Sequence, residues 1–117
     1  MLSDKAQLAL LDIRHNILAA ERFIEGLSFE EFIASDLHFY AVSRALEIIS
    51  EAVRRLPDSF RDKHAVLPWK KIMGIGNVFR HSYDTVVETI VWETARDHLK
   101  PLLVVVSEEI ESFDKHR

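Results

Sequence analysis

The sequence predicts an all-α domain, built as an up-and-down bundle of four to five helices. Apolar residues recur at spacings of three and four in four separate stretches, and no stretch shows the sustained alternation of a β-strand. A chain of 117 residues can enclose one hydrophobic core but not two. Its apolar fraction of 48% and charged fraction of 29% are ordinary for globular proteins. We therefore expect residues 1–117 to form one folded domain.

An apolar stripe and a capping signal mark the first two helices. The stripe begins at Leu10 and continues in steps of three and four to Leu27. Ser28 and Glu31 then have the spacing of a capping box, in which each side chain binds a backbone amide of the other residue. Ser35, at the end of this short helix, can cap the next one.

The third stripe predicts the longest central helix of the bundle. It extends from Phe39 to Leu56 and is stopped by Pro57, because proline cannot continue a helix. Helical periodicity is absent over residues 57–67, which predicts an irregular connection of eleven residues.

The last part of the chain predicts two more helical regions. Pro68 suits the first turn of a helix, since a proline there removes no intrahelical hydrogen bond. The final stripe, over residues 92–113, keeps its register across Pro101. This pattern predicts either one kinked helix or two abutting helices.

Composition excludes several classes of protein. The chain has no cysteine, so disulfides and cysteine-ligated metals are excluded and a cytoplasmic location is expected. No apolar run approaches the length of about 20 residues that a membrane span requires. The six histidines are dispersed without a metal-ligand spacing, so we expect no metal site, no cofactor and no membrane partner.

The charge is unevenly distributed. The net charge is −4, yet residues 54–81 contain seven basic and two acidic residues. Most such charge runs are solvated surface. A basic middle on an acidic body can also present a face that binds phosphate.

Polar residues converge near residue 80. Lys70, Asn77 and His81 align on one helical face, while Arg80 and Tyr83 lie within one turn of them. A histidine can transfer the protons of RNA cleavage, and a guanidinium can stabilise the charged phosphorane. The same residues also fit a helix end with a hydrogen-bonded histidine and an exposed arginine, so chemistry alone leaves both interpretations open.

Residues 74–84 resemble the motif of the HepT-like ribonuclease toxins of the HEPN superfamily. That motif has an arginine, an asparagine, three variable residues, a histidine, one residue and a tyrosine. The resemblance covers nearly the whole chain. It extends to residues 12–16, 44–51, 68–69, 90–92 and 97–101.

The resemblance implies a metal-independent RNA endonuclease that acts as a homodimer, with an RNA site in the cleft between protomers. It implies a partner as well, a minimal nucleotidyltransferase antitoxin of the MntA type. Asn77 and His81 match the polar and catalytic positions of the family. Tyr83 matches the tyrosine that the antitoxin adenylylates.

One position departs from the motif, because Gly76 stands where the family has arginine. Arg80 can substitute from one turn away, and close helix packing is the alternative reason for the glycine. Arg44, in a polar ladder on the third helix, and Lys70 are candidates for support on the substrate side. The departure favours a second function class, a catalytically silent helical module that binds nucleotide or a nucleotidyltransferase.

Overall fold

The computed structural model describes the backbone of residues 2–81 and 85–115 and the side chains of residues 2–76 and 86–115. Within these ranges the chain forms seven α-helices and a π-helical turn, and no strand. The helices are α1 (Asp4–Ile24), α2 (Phe29–Ile33), α3 (Asp36–Arg54), α4 (Asp58–Lys63), α5 (Trp69–His81), α6 (Thr85–Glu93) and α7 (Lys100–Asp114). The all-α prediction is confirmed. None of these helices is long and apolar enough to cross a membrane.

The two longest helices, α1 and α3, form the centre of the molecule. They pack along each other, α7 packs against α1, and α5 packs against α3. The apolar stripes of α1 and α3 supply fully buried side chains to this core, among them Leu10, Ile13, Ile17, Leu46, Ile49 and Val53. Because α1 has 21 residues and α3 has 19, the prediction that the third helix is the longest is wrong.

The ends of α1 explain this difference. Ser3 caps the helix seven residues before Leu10 begins the stripe, with its side chain accepting a hydrogen bond from the amide of Ala6. At the other end Gly26 adopts a φ of 77°, a conformation that favours glycine and commonly terminates helices.

The predicted caps of α2 and α3 are present. The Glu31 amide donates to Ser28 Oγ at 3.1 Å, and the Ser28 amide donates to Glu31 Oε1 at 2.9 Å, which completes the capping box. The hydrogen bond from the Ser28 backbone lowers the pKa of Glu31. Ser35 caps α3 by accepting from the amide of His38 at 3.3 Å. Local sequence therefore determines where both helices begin.

A cluster of aromatic rings fastens α2 to the bundle. Phe32 is fully buried, with its ring centroid 5.3 Å from that of Trp92 in α6 and 6.1 Å from that of Phe39 in α3. Phe29 meets Trp92 edge to face at 6.0 Å.

The connection predicted as irregular over residues 57–67 contains α4, so that prediction is wrong in its first half. Pro57 precedes the helix, and Arg61 stabilises it by an ion pair with Asp58. The Arg61 guanidinium also donates to the carbonyls of Val53 and Leu56, both at 3.1 Å, at the end of α3. A helix of six residues is too short to produce a detectable period.

Two helices abut at the final stripe, one of the two predicted arrangements. A π-helical turn, Thr94–His98, follows α6, and Pro101 lies in the first turn of α7. Within the π-helical turn Arg96 donates two hydrogen bonds to Asp97, at 2.9 and 2.7 Å, which lower the pKa of that carboxyl.

Candidate nucleic-acid site on α5

The first residue of α5 anchors the helix. The indole Nε1 of Trp69 donates to the carbonyl of Arg61 at 3.0 Å and to that of His64 at 2.9 Å. The ring meets Phe60 edge to face at 6.1 Å, and the side chain is buried. The Pro68 carbonyl accepts a hydrogen bond from the Ile72 amide, so the predicted helix start is correct to within one residue. Trp69 thus ties the start of α5 to the end of α4.

A single carbonyl joins α5 to α3. The Met73 carbonyl accepts from Ser50 Oγ and from Arg54 Nη2, both at 2.7 Å. A Cβ built on Gly76 would lie 3.5 Å from Ser50 Oγ. Arg54 thus contacts Met73, whereas Ser50, four residues earlier in α3, also adjoins Gly76, three residues later in α5. The two helices therefore pair in opposite order.

The motif residues lie at the far end of α5. Asn77, Arg80 and His81 fall on its last two turns, and their side chains lie outside the described residues, as does Tyr83. Lys70 is exposed in the first turn. Eleven residues of helix separate it from His81, a rise of about 16 Å. Lys70 and His81 therefore occupy opposite ends of the helix.

Arg44 lies on α3 with an exposed side chain and forms an ion pair with Glu47 at 3.5 Å. It precedes Ser50 by six residues, while His81 follows Gly76 by five. Because α3 and α5 pair in opposite order, Arg44 and His81 lie on the same side of the contact between Ser50 and Gly76. Arg44 is about 9 Å from that contact along α3, and His81 is about 7.5 Å from it along α5. Arg44 is thus on the level of the motif.

The basic segment is partly neutralised. Three of its side chains pair with carboxylates, namely Arg55 with Asp12 at 3.1 Å, Arg61 with Asp58, and Lys63 with Glu109 at 3.7 Å. Three others are exposed and have no ion pair among the described residues, namely Arg54, Lys70 and Lys71. The unpaired cations lie on α5 or directly beside it.

A cavity of about 530 Å³ lies between α5, α6 and the π-helical turn. Ile72 and Ile75 of α5 and Ile90 of α6 contribute apolar lining, while Lys71 and His98 add basic groups. The sequence did not predict this cavity, because its walls come from segments that only the tertiary fold brings together.

Comparison with known proteins identifies the family. Residues 13–109 match the family model described as Ribonuclease HepT-like. This chain belongs to the HepT-like ribonuclease family. A protein of Caldanaerobacter subterraneus named as a candidate RNase is 41% identical over 85 residues, covering 73% of this chain and 76% of that protein. A "Probable ribonuclease HepT" of Thermococcus cleftensis is 32% identical, covering 80% of this chain and 84% of that protein.

A third relative extends the same similarity. A protein of Methanocaldococcus jannaschii, also named as a candidate RNase, is 34% identical over 88 residues, covering 75% of this chain and 81% of that protein. No solved structure matches this chain.

The structure shows what surrounds Gly76, the position that departs from the HepT-like motif. A Cβ there would meet Ser50 Cβ at 3.7 Å and Ser50 Oγ at 3.5 Å, which is ordinary van der Waals contact. Close packing of α5 on α3 therefore does not require a glycine. The residue leaves the surface of α5 beside Ser50 without a side chain.

Ser50 was not predicted to have a role at the site, and Arg54 was predicted only as part of the basic segment. These two residues meet Met73 across 23 and 19 positions of the chain. No local pattern reports such a contact. Only the packing of α3 against α5 brings both side chains to the motif helix.

Proposed function

We propose that this chain is an RNA endonuclease, the toxin of a toxin-antitoxin pair, and that it cleaves RNA without a metal ion. The observation that carries the proposal is the HepT-like match over residues 13–109, which includes Asn77 and His81 on α5. Unpaired cations on and beside the same helix support a polyanionic substrate.

The proposed chemistry is a transesterification at one RNA phosphate. The 2′-oxygen bonds to phosphorus as the bond from phosphorus to the 5′-oxygen breaks. His81 takes the proton of the 2′-hydroxyl, and His81 of the second protomer in a shared cleft protonates the leaving 5′-oxygen. Arg80 stabilises the phosphorane, and Asn77 and Tyr83 hold the imidazole or the substrate. Arg44 and Lys70 support the RNA on either side.

Induced expression in bacterial cells tests the function directly. Growth and total RNA are followed together after induction of the chain. Arrest of growth with fragmentation of RNA is the expected result. Arrest with intact RNA would contradict the ribonuclease assignment, and so would unimpaired growth with intact RNA at high expression.

We expect a homodimer with α5 near the interface. Its support is an apolar surface beside α5, where Ile90 is 37% exposed at the edge of the cavity and Val86 is 63% exposed one turn earlier. Ile90→Asp should convert a dimer into a monomer of 13.6 kDa by light scattering, because it places a charge in an apolar contact. Leu8→Asp, at a site 60% exposed on α1, is the control that should remain dimeric. A monomeric wild type at micromolar concentration would contradict the dimer.

Tyr83 should be adenylylated by a cognate MntA-type nucleotidyltransferase. The added phosphate places negative charge where a substrate phosphate must bind, so the modified protein should be inactive. Mass spectrometry after co-expression with the nucleotidyltransferase measures the site of modification, and Tyr83→Phe should prevent it. Location of the added mass on Tyr40, the other tyrosine of the chain, would refute the assignment.

Arg80→Ala should reduce cleavage about a hundredfold, because loss of one contact to the transition state typically costs about 3 kcal/mol. Arg80→Lys should restore only part, since an ammonium cannot bind two phosphate oxygens in one plane. Rates are compared on one bulk RNA substrate. Wild-type cleavage by Arg80→Ala would show that Arg80 does not replace the motif arginine.

The second candidate is a silent helical module, which the glycine at position 76 favours. Under that alternative the wild type is inactive and Gly76→Arg, which rebuilds the family motif, switches cleavage on. Gly76→Ala is the matched control, because it removes the glycine without adding charge. It should raise stability by about 1 kcal/mol through helix propensity alone.

A further inference from the structure

We infer that Arg54, from α3, binds an RNA phosphate beside Met73 on the motif helix. The inference rests on the proposed function, because it names a further contact with the same substrate. Its basis is the hydrogen bond from Arg54 Nη2 to the Met73 carbonyl at 2.7 Å, which carries a guanidinium across from α3 to the surface of α5.

The position of that guanidinium follows from helix geometry. A helical carbonyl points toward the amide four residues later, so the Met73 carbonyl faces the level of Asn77. The Arg54 guanidinium therefore lies at the turn of α5 that follows Met73. His81 is eight residues after Met73, about 12 Å along the axis. A single RNA strand can therefore contact both residues through different phosphates.

Arg54 is available to an anion. It is exposed, and no carboxylate among the described residues lies within ion-pair distance of it. The next residue, Arg55, differs in this respect because it is paired with Asp12 at 3.1 Å. A guanidinium has five N–H donors, and the hydrogen bond from Arg54 to the Met73 carbonyl uses one nitrogen.

The contact with Met73 also prepares Arg54 for binding. A guanidinium already fixed by a carbonyl loses less side-chain freedom when it binds a ligand. Its remaining donors can form two parallel hydrogen bonds with a phosphate, among the stronger contacts available to a protein. The geometry therefore suits binding of an RNA phosphate near the one that is cleaved.

Binding of a single-stranded RNA with 2′-O-methyl sugars tests the inference, because this probe cannot be cleaved through its 2′-oxygen. Arg54→Ala should weaken binding about tenfold, and the slope of log affinity against log salt should fall by about 0.7, the value for one lost phosphate contact on a single strand. Arg55→Ala is the matched control and should change affinity less than twofold. Equal losses in both variants, or no loss in Arg54→Ala, would overturn the inference.

A rescue experiment separates phosphate binding from a structural role. In the Arg54→Ala background, Gly76→Arg should recover most of the lost affinity, because an arginine three residues after Met73 on the same helix can place its guanidinium near the Met73 carbonyl, where Arg54 bound. A role limited to holding α3 against α5 predicts no recovery. Absence of recovery, together with a lowered melting temperature of Arg54→Ala, would therefore refute our assignment.

The proposed function and this inference can fail separately. If the wild type cleaves RNA, His81→Ala does not, and Arg54→Ala binds and cleaves normally, then the function stands and the inference is wrong. If the wild type binds the uncleavable RNA through Arg54 but never cuts RNA, then the inference stands and the catalytic proposal is wrong. If the wild type does not bind the probe at all, the inference is wrong.

Discussion

His81→Ala is expected to lower the rate of RNA cleavage at least a thousandfold. General acid or base catalysis contributes about 10²- to 10⁴-fold, and a cleft shared by two protomers would lose both proton-transfer groups at once. The measurement is single-turnover cleavage of one RNA by purified protein in the presence of EDTA, where the wild type should remain active. Circular dichroism and the melting temperature should be almost unchanged.

The control for this prediction is His98→Ala. His98 is an exposed histidine in the π-helical turn, outside the motif, so its loss should leave cleavage at the wild-type rate. Loss of helical content together with activity in His81→Ala would instead indicate that His81 supports the fold. Dependence of wild-type cleavage on an added divalent cation would contradict the metal-independent mechanism.

Trp69→Ala should lower the free energy of unfolding by about 3–5 kcal/mol, the usual cost of truncating a buried aromatic residue. Cleavage should fall as well, even at temperatures where the protein is folded, because α5 loses the anchor at its first residue. Trp69→Phe keeps an aromatic side chain, although a smaller one, and removes the hydrogen bonds to Arg61 and His64, so it should cost about 1–3 kcal/mol. Urea denaturation measures both variants.

Phe32→Ala separates stability from the site. Phe32 is fully buried among the rings of α2, α3 and α6, so its truncation should destabilise the protein about as much as Trp69→Ala. Phe32 is not among the contacts of Trp69 that anchor α5, so the folded Phe32→Ala protein should still cleave RNA at nearly the wild-type rate. Equal activity of folded Trp69→Ala and folded Phe32→Ala would show that anchoring α5 has no part in the site.

How well the sequence predicts an element depends on how many residues carry its signal and how close together they are. The capping box of Ser28 and Glu31 was predictable because its partners are three residues apart. The short helix α4 was not, because six residues complete less than two turns of apolar pattern. The start of α1 was not predicted, because Ser3 caps the helix before the apolar stripe begins at Leu10.

The sequence by itself determined the all-α class, the start signals of α2, α3 and α5, and membership of the HepT-like family, because periodicity, caps and motif spacing are local properties of the chain. Only the tertiary structure decided that Ser50 and Arg54 meet the Met73 carbonyl and that a cavity adjoins α5. It also decided which cations are neutralised, as Arg55 is by Asp12, 43 positions away. Such contacts depend on how the helices pack, and a helical stripe specifies that a face is buried without specifying which face covers it.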